Sequence, residues 1–225
     1  MKLKVISSIL YSDDPLIKDH TVHGVKILPG VSFIDLILRA LNKLEINIYE
    51  IELRNILFKK PIVSVNGANF QIEIQVKELK GFSKIEIKSR NYSSESSQNS
   101  TDSVLNCECE AYYINSENNL SLLNDKFNKQ QYKDSIYKTI SLDEIYGMLQ
   151  KVNINHKDFM KAEGMVHYQE KSLLAEISLN STALGYSKDF FIHPVFFDAA
   201  TLLAFTQKYY IADLALDKPF IPFSI

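Results

Sequence analysis

The sequence predicts an α+β fold in which antiparallel strands wrap around a helix. Residues 31–44 place apolar side chains at helical spacing on one broad face and polar side chains on the other. From about residue 51 to residue 114, apolar residues instead alternate with polar ones, as they do in strands that bury one face. A helix followed by several such strands favours an antiparallel sheet packed around that helix.

The second half of the chain repeats this theme in altered order. Ser141 and Glu144 form a capping box, which predicts a helix from Leu142 to about Val152. Two strands and a second helix should follow, at residues 165–168, 173–179 and 196–210. Because this last helix is apolar nearly all round, we expect it to be buried.

The chain therefore divides into two subdomains, predicted at residues 1–118 and 141–225, with a polar linker at residues 119–140. Residues 92–103, rich in Ser and Asn, predict a mobile surface loop. With 225 residues and 46% hydrophobic content, the chain is large enough to bury a full core.

Composition narrows the class of protein. The formal net charge is −2 and both signs are interspersed, which argues against a nucleic-acid partner. No signal peptide is evident and no segment has membrane-spanning length, so we expect a soluble cytoplasmic protein that binds no membrane. Cys107 and Cys109 lie two apart on a predicted strand and are interpreted as small core residues.

Two stretches far apart in the chain carry the candidate functional residues. His20, Gly24 and Pro29 form the pattern HxxxGxxxxP, predicted as a turn that opens the first helix. His193 and Asp198 form the pattern HPxxxD, in which a lone carboxylate lies in an apolar run. A histidine exchanges protons near neutral pH, and an aspartate is rarely buried without a partner or a task.

These two motifs, in this order, resemble those of the dehydratase domains of modular polyketide synthases. The resemblance extends from about Asp14 to the last residue and includes the Pro-Phe-Ser stretch at residues 222–224. It implies a double hotdog: two antiparallel sheets, each wrapped around a central helix, with the active site between the two hotdogs. In the family, further strands follow the Pro-Phe-Ser stretch, so we expect the C-terminal subdomain to be truncated at residue 225.

The resemblance implies that the chain eliminates water from a β-hydroxyacyl thioester to give an α,β-unsaturated acyl chain. It assigns His20 as the base and Asp198 as the acid, and we expect desolvation beside Phe197 and Ala199 to raise the pKa of the acid. Free backbone N–H groups where the helix begins, near Gly30, would suit the thioester oxygen. The residues expected to bind substrate are Gly24, Pro29, Gly30, Phe159, His193 and Leu202.

The same resemblance implies the partners of the chain. The substrate would be carried on the phosphopantetheine of an acyl carrier protein, with no other cofactor. Other polyketide synthase domains and a second copy of the chain, in a homodimer, are the further partners. We predict no metal, because His20, His23 and His193 lack supporting ligands at zinc-site spacing. His156 and His167 are interpreted as ordinary histidines.

Two departures from the family pattern leave other activities open. The family has Gln or His four residues after the acid, where this chain has Leu202, which cannot donate a hydrogen bond. The family's Tyr-Gly-Pro-x-Phe stretch is replaced by residues 155–159, which read Asn-His-Lys-Asp-Phe. The alternatives are an enoyl isomerase or pyran-forming cyclase of the same fold, and a non-catalytic module for docking or dimerisation.

Overall fold

The computed structural model describes residues 2–93, 102–114, 132, 136–170 and 172–212, with side chains of the last helix described to Leu203 and at Thr206. The helices are α1 (Pro15–Lys18), α2 (Ser32–Lys43), α3 (Leu142–Lys151), α4 (Ser181–Leu184) and α5 (Pro194–Ala212). The strands are β1 (Leu3–Leu10), β2 (His20–Val22), β3 (Val25–Ile27), β4 (Ile51–Phe58), β5 (Val63–Ser64), β6 (Asn69–Glu78), β7 (Ser83–Tyr92), β8 (Val104–Tyr113), β9 (Lys138–Ser141), β10 (Ile154–His156), β11 (Ala162–Tyr168) and β12 (Leu173–Leu179). The described strands pair antiparallel, which confirms the α+β class.

Helix α2 is the predicted first helix, and both of its ends have a local cause. At its start, backbone amides bond carbonyls three residues back, beginning with Ser32 to Pro29 at 3.0 Å. At its end, Glu45 has a φ of 60° and Ile46 donates to the Leu41 carbonyl, a Schellman stop. The apolar face between these ends is buried, so α2 is held by packing.

The largest sheet has the strand order β1-β6-β7-β8-β4. Residues of β6 and β7 alternate between buried and half-buried, so one face of the sheet lines the core that also contains the apolar side of α2. Cys107 and Cys109 on β8 point into this core and are free, as predicted.

A smaller sheet joins the two halves of the chain. Its order is β10-β2-β3-β5, so that β10, from the second half, pairs with β2, from the first. The register sets Ile154 opposite Val22 and His156 opposite His20. Two further hydrogen bonds extend the seam: His23 N donates to Asn153 O at 2.7 Å, and Lys157 N to Asp19 O at 2.8 Å.

The second half is built on the sheet β12-β11-β9. Helix α3 begins with the predicted capping box of Ser141 and Glu144. Helix α5 packs on β11 and β12 but is not buried all round as expected, because Phe196 is 38% exposed and Ala200 is exposed on the same side. Its other side, which includes Asp198 and Ala199, is buried.

Several predicted segments fall wholly or partly outside the described residues. These include the centre of the surface loop (94–101), most of the linker, and residues 213–225 with the Pro-Phe-Ser stretch. Residues 138–140, at the end of the predicted linker, lie in strand β9. Among the described helices, none combines the length and apolar character needed to cross a membrane.

Candidate active site

His20 lies on strand β2. The sequence had suggested a turn at this position, but the chain turns three residues later. The turn is at His23 and Gly24, which both have positive φ, and it joins β2 to β3 as a two-residue hairpin. Across the hairpin, His20 Nδ1 lies 2.7 Å from Ile27 O. Because a carbonyl oxygen only accepts, Nδ1 carries a proton, and Nε2 of the neutral ring is the free base.

The other residues of the first motif lie at the hairpin tip and just before α2. Gly24 is exposed at the hairpin tip with φ +77°, and a Cβ built there would meet nothing within 4 Å. The turn thus explains the glycine, and no other described backbone approaches it closely. The role of Gly24 toward substrate stays a prediction. Pro29 is buried before α2, and a Cβ at Gly30 would contact the Phe58 ring at 3.5 Å.

The start of α2 offers fewer free amides than expected for the thioester oxygen. The N–H groups of Ser32, Phe33 and Ile34 donate to the carbonyls three residues earlier. These three amides are therefore not free, because the first turn closes on itself. A role of the backbone near Gly30 toward the thioester oxygen stays a prediction.

Asp198 lies on the buried side of α5 and is 8% exposed. The cause of the helix start is local: Pro194 occupies the first helical position, and His193 Nδ1 accepts from Val195 N at 3.3 Å. Thr201 Oγ1 bonds the Asp198 backbone carbonyl, and the Asp198 carboxylate remains available to other elements.

The element that meets this carboxylate is β10. His156 Nε2 lies 2.8 Å from Asp198 Oδ2, and His156 is 3% exposed. Its ring centroid lies 5.0 Å from that of His20, its cross-strand neighbour, and 5.0 Å from that of Tyr146 on α3. The interpretation of His156 as an ordinary histidine is wrong.

His20, His156 and Asp198 form one buried cluster, in which one nitrogen or oxygen atom of each lies within 4.8 Å of the others. The fold therefore brings His20 and Asp198, which are 178 residues apart in the chain, into one cluster. Imidazole and carboxylate also bind metals, but tetrahedral zinc sets its ligand atoms about 3.3 Å apart. The 2.8 Å between His156 Nε2 and Asp198 Oδ2 is a hydrogen-bond length, so the pair fits a shared proton.

The electrostatics of the cluster differ from the expectation. Burial raises the pKa of the Asp198 carboxyl, but the charge and hydrogen bond of His156, together with the charge of His20, outweigh burial, so the pKa lies below its ordinary value. The expected rise was wrong because it ignored His156. Burial lowers the pKa of His20, opposed by Asp198, which keeps this imidazole neutral to lower pH.

Three further residues were expected to bind substrate. Phe159 is 1% exposed and packs against the rings of Phe190 and His193, so in this conformation it contacts protein. His193 directly precedes α5 and packs against Phe159, and its Nε2 lies 3.3 Å from Ala183 O. Leu202 is half-buried one turn after Asp198. Their roles toward substrate stay predictions.

Comparison with known proteins shows what this chain is similar to. A model of the polyketide synthase dehydratase domain matches residues 3–90, which include His20. The chain is 28% identical to an N-terminal dehydratase from the difficidin assembly line, with a TM-score of 0.85 over 100% of this chain and 73% of that one. These similarities support the interpretation of the chain as a polyketide synthase dehydratase domain. The predicted double hotdog is thereby confirmed.

Other relatives of this dehydratase domain are more distant in sequence. It is 24% identical to polyketide synthase PksL of Bacillus subtilis over 187 residues, which is 83% of this chain and 4% of that protein. The domain thus spans a small part of the curated relative. A monomeric dehydratase domain from a trans AT polyketide synthase split module has the same fold, at 22% identity and a TM-score of 0.88, covering 100% of this chain and 80% of that one.

Proposed function

We propose that this domain eliminates water from a β-hydroxyacyl thioester and leaves an α,β-unsaturated thioester. The observation that carries the proposal is the buried cluster, in which a neutral imidazole with a free Nε2 lies beside a carboxylate. An elimination of this kind needs a base for the α-proton and an acid for the departing hydroxyl, both within reach of one substrate unit.

His20 and Asp198 have separate roles in the reaction. His20 Nε2 takes the α-proton, while Nδ1–H stays bonded to the Ile27 carbonyl and holds the ring in place. The acid at Asp198 gives a proton to the β-hydroxyl as the carbon–oxygen bond breaks, and water leaves. The electron pair of the broken C–H bond forms the new double bond, so the substrate loses one water and its charge is unchanged.

The substrate would arrive on the phosphopantetheine arm of an acyl carrier protein, within an assembly of polyketide synthase domains. This part of the proposal is supported by the similarity to PksL and to the difficidin dehydratase. We propose a homodimer as the working state, although one neighbour of the same fold is described as monomeric. Light scattering of the purified domain tests the dimer, and a monomer mass at micromolar concentration contradicts it.

Intact-protein mass spectrometry of a β-hydroxyacyl carrier protein tests the reaction. The expected result is the loss of one water with the wild type. His20→Ala and Asp198→Asn should each lower the rate about a hundred- to ten-thousandfold, because each removes one proton-transfer group. His23→Asn is the matched control, since it removes an exposed imidazole three residues away and Asn tolerates positive φ.

The same experiment separates the other activities of this fold. An unchanged mass with a moved double bond would indicate an isomerase, and an unchanged mass with a new ring would indicate a cyclase. No change in any product would indicate a non-catalytic docking module. Each of these outcomes contradicts the proposed dehydration.

A further inference from the structure

We propose that His156 and Asp198 jointly hold the proton that the departing hydroxyl receives, so that His156 is part of the acid and acts through Asp198. The inference rests on the proposed dehydration and deepens it. It gives a role to a residue of β10 that lies outside both sequence motifs.

The pair has the geometry of a hydrogen bond. His156 Nε2 and Asp198 Oδ2 lie 2.8 Å apart, and both residues are buried. An imidazole and a carboxylate at this distance share a hydrogen bond whose proton can lie on either partner.

The groups around the pair act on the Asp198 carboxyl. Two imidazoles and the hydrogen bond from His156 outweigh burial and lower the pKa of Asp198, so the carboxyl alone is poorly suited to keep a proton at neutral pH. The nearest atom that can hold this proton is His156 Nε2. Asp198 gives a proton to the hydroxyl as the carbon–oxygen bond breaks and accepts the Nε2 proton of a doubly protonated His156, which becomes a neutral imidazole with its proton on Nδ1. The proton taken up by His20 returns to the pair after water leaves.

The groups that face His156 are consistent with this role. His20 faces it from β2, Asp198 from α5 and Tyr146 from α3. Burial raises the pKa of Tyr146, whose hydroxyl accepts from Ala162 N, so Tyr146 stays neutral and does not compete for the proton. Among the described residues, His156 Nδ1 has no hydrogen-bond partner, whereas Nε2 bonds the Asp198 carboxylate.

The arrangement also explains how the acid is held without a polar residue at position 202. Leu202 cannot donate a hydrogen bond from the next turn of α5. His156 approaches Asp198 from another element, strand β10. Because His156 lies opposite His20 in the pairing of β10 with β2, one strand pair holds both the base and the partner of the acid. The β10–β2 ladder therefore positions the base and the histidine that bonds the acid.

A titration without substrate tests the pair itself. In a domain labelled with ¹³C at aspartate, the carboxyl signal that Asp198→Asn removes belongs to Asp198. We expect His156→Gln to raise the pKa of this carboxyl, because Gln keeps an N–H donor but has no imidazole charge, while His23→Asn leaves it unchanged. An Asp198 pKa that is unchanged in His156→Gln overturns the proposal.

Kinetics with the β-hydroxyacyl carrier protein tests the role in the reaction. We expect His156→Gln to lower kcat about a hundredfold or more with little change in KM, since a hydrogen bond remains but the shared proton is lost. Thermal unfolding checks that His156→Gln is folded. If it is not, His156→Asn is measured in its place. Wild-type kcat and pH dependence in a folded variant overturn the proposal. A wild type that eliminates no water overturns the proposed function instead, and the titration still decides whether the pair exists.

Discussion

At the scale of the residue, the state of His20 determines where activity fails on the acid side. Burial lowers its pKa, so the ring stays neutral below the ordinary imidazole value of about 6.5 and is protonated only at lower pH. We therefore predict that kcat/KM falls, as pH decreases, at a midpoint below 6.5. A pH–rate profile on the carrier-protein substrate measures this midpoint, with His23→Asn as control, and a midpoint at or above 6.5 contradicts the assignment.

Leu202 tests whether the acid needs a polar neighbour on its own helix. Since His156 already bonds Asp198, we predict that Leu202→Gln leaves the pH–rate profile unchanged. The substitution should lower the free energy of unfolding by about 1–3 kcal/mol if the new amide finds no partner. Leu202→Met, which keeps volume and apolar character, is the control in the same denaturation series. A shifted pH profile in Leu202→Gln would show that position 202 still tunes the acid.

At the scale of the element, the β2–β3 hairpin presents His20. Because Gly24 has φ +77° with open space around it, we predict that Gly24→Ala costs about 1–2 kcal/mol of stability from backbone strain, with KM unchanged. Gly24→Asn, which tolerates this φ, should lose less. Urea unfolding and Michaelis kinetics measure the two effects. A raised KM in both variants would instead support the contact with the acyl chain that the sequence suggested.

The elements also show which parts of the site the sequence could predict. Helix α2 and the capping box of α3 are local signals, and both appear where periodicity and side-chain spacing put them. Asp198 was found because a carboxylate in an apolar run is unusual in itself. His156 was missed because β10 has three residues, too few to show alternation, and its meaning comes from pairing with a strand 134 positions earlier.

The pKa of the acid could not be predicted for the same reason. The sequence shows the apolar neighbours of Asp198, which raise the pKa, but not the two imidazoles that lower it. Likewise, the two-residue turn at His23 and Gly24 was not distinguished from a longer turn that opens α2. For the acid, a contact between distant segments decided the outcome, whereas for the turn it was the local pairing of β2 with β3.

At the scale of the whole molecule, the site depends on the two halves being held in register. The β10–β2 pairing is one connection between them. A second is Asp35 on α2, which is buried and whose Oδ1 accepts from Phe191 N at 2.8 Å and from Ile192 N at 3.2 Å. Arg39 Nε contacts the other oxygen of Asp35 at 2.8 Å. Helix α5, which carries Asp198, begins two residues after Ile192, so Asp35 fixes the segment that aims the acid.

This connection gives the prediction that joins stability to catalysis. Asp35→Ala leaves the amides of Phe191 and Ile192 without their acceptor and should lower the free energy of unfolding by about 1–3 kcal/mol. It should also lower kcat, because the start of α5 is no longer tied to α2. Asp35→Asn keeps one acceptor oxygen and should lie between wild type and Asp35→Ala on both measures. Glu52→Ala, which removes an exposed partner of Arg54, is the matched control and should change neither. Equal kcat for Asp35→Ala and Glu52→Ala in denaturation-checked samples would show that α5 is aimed by its own packing alone.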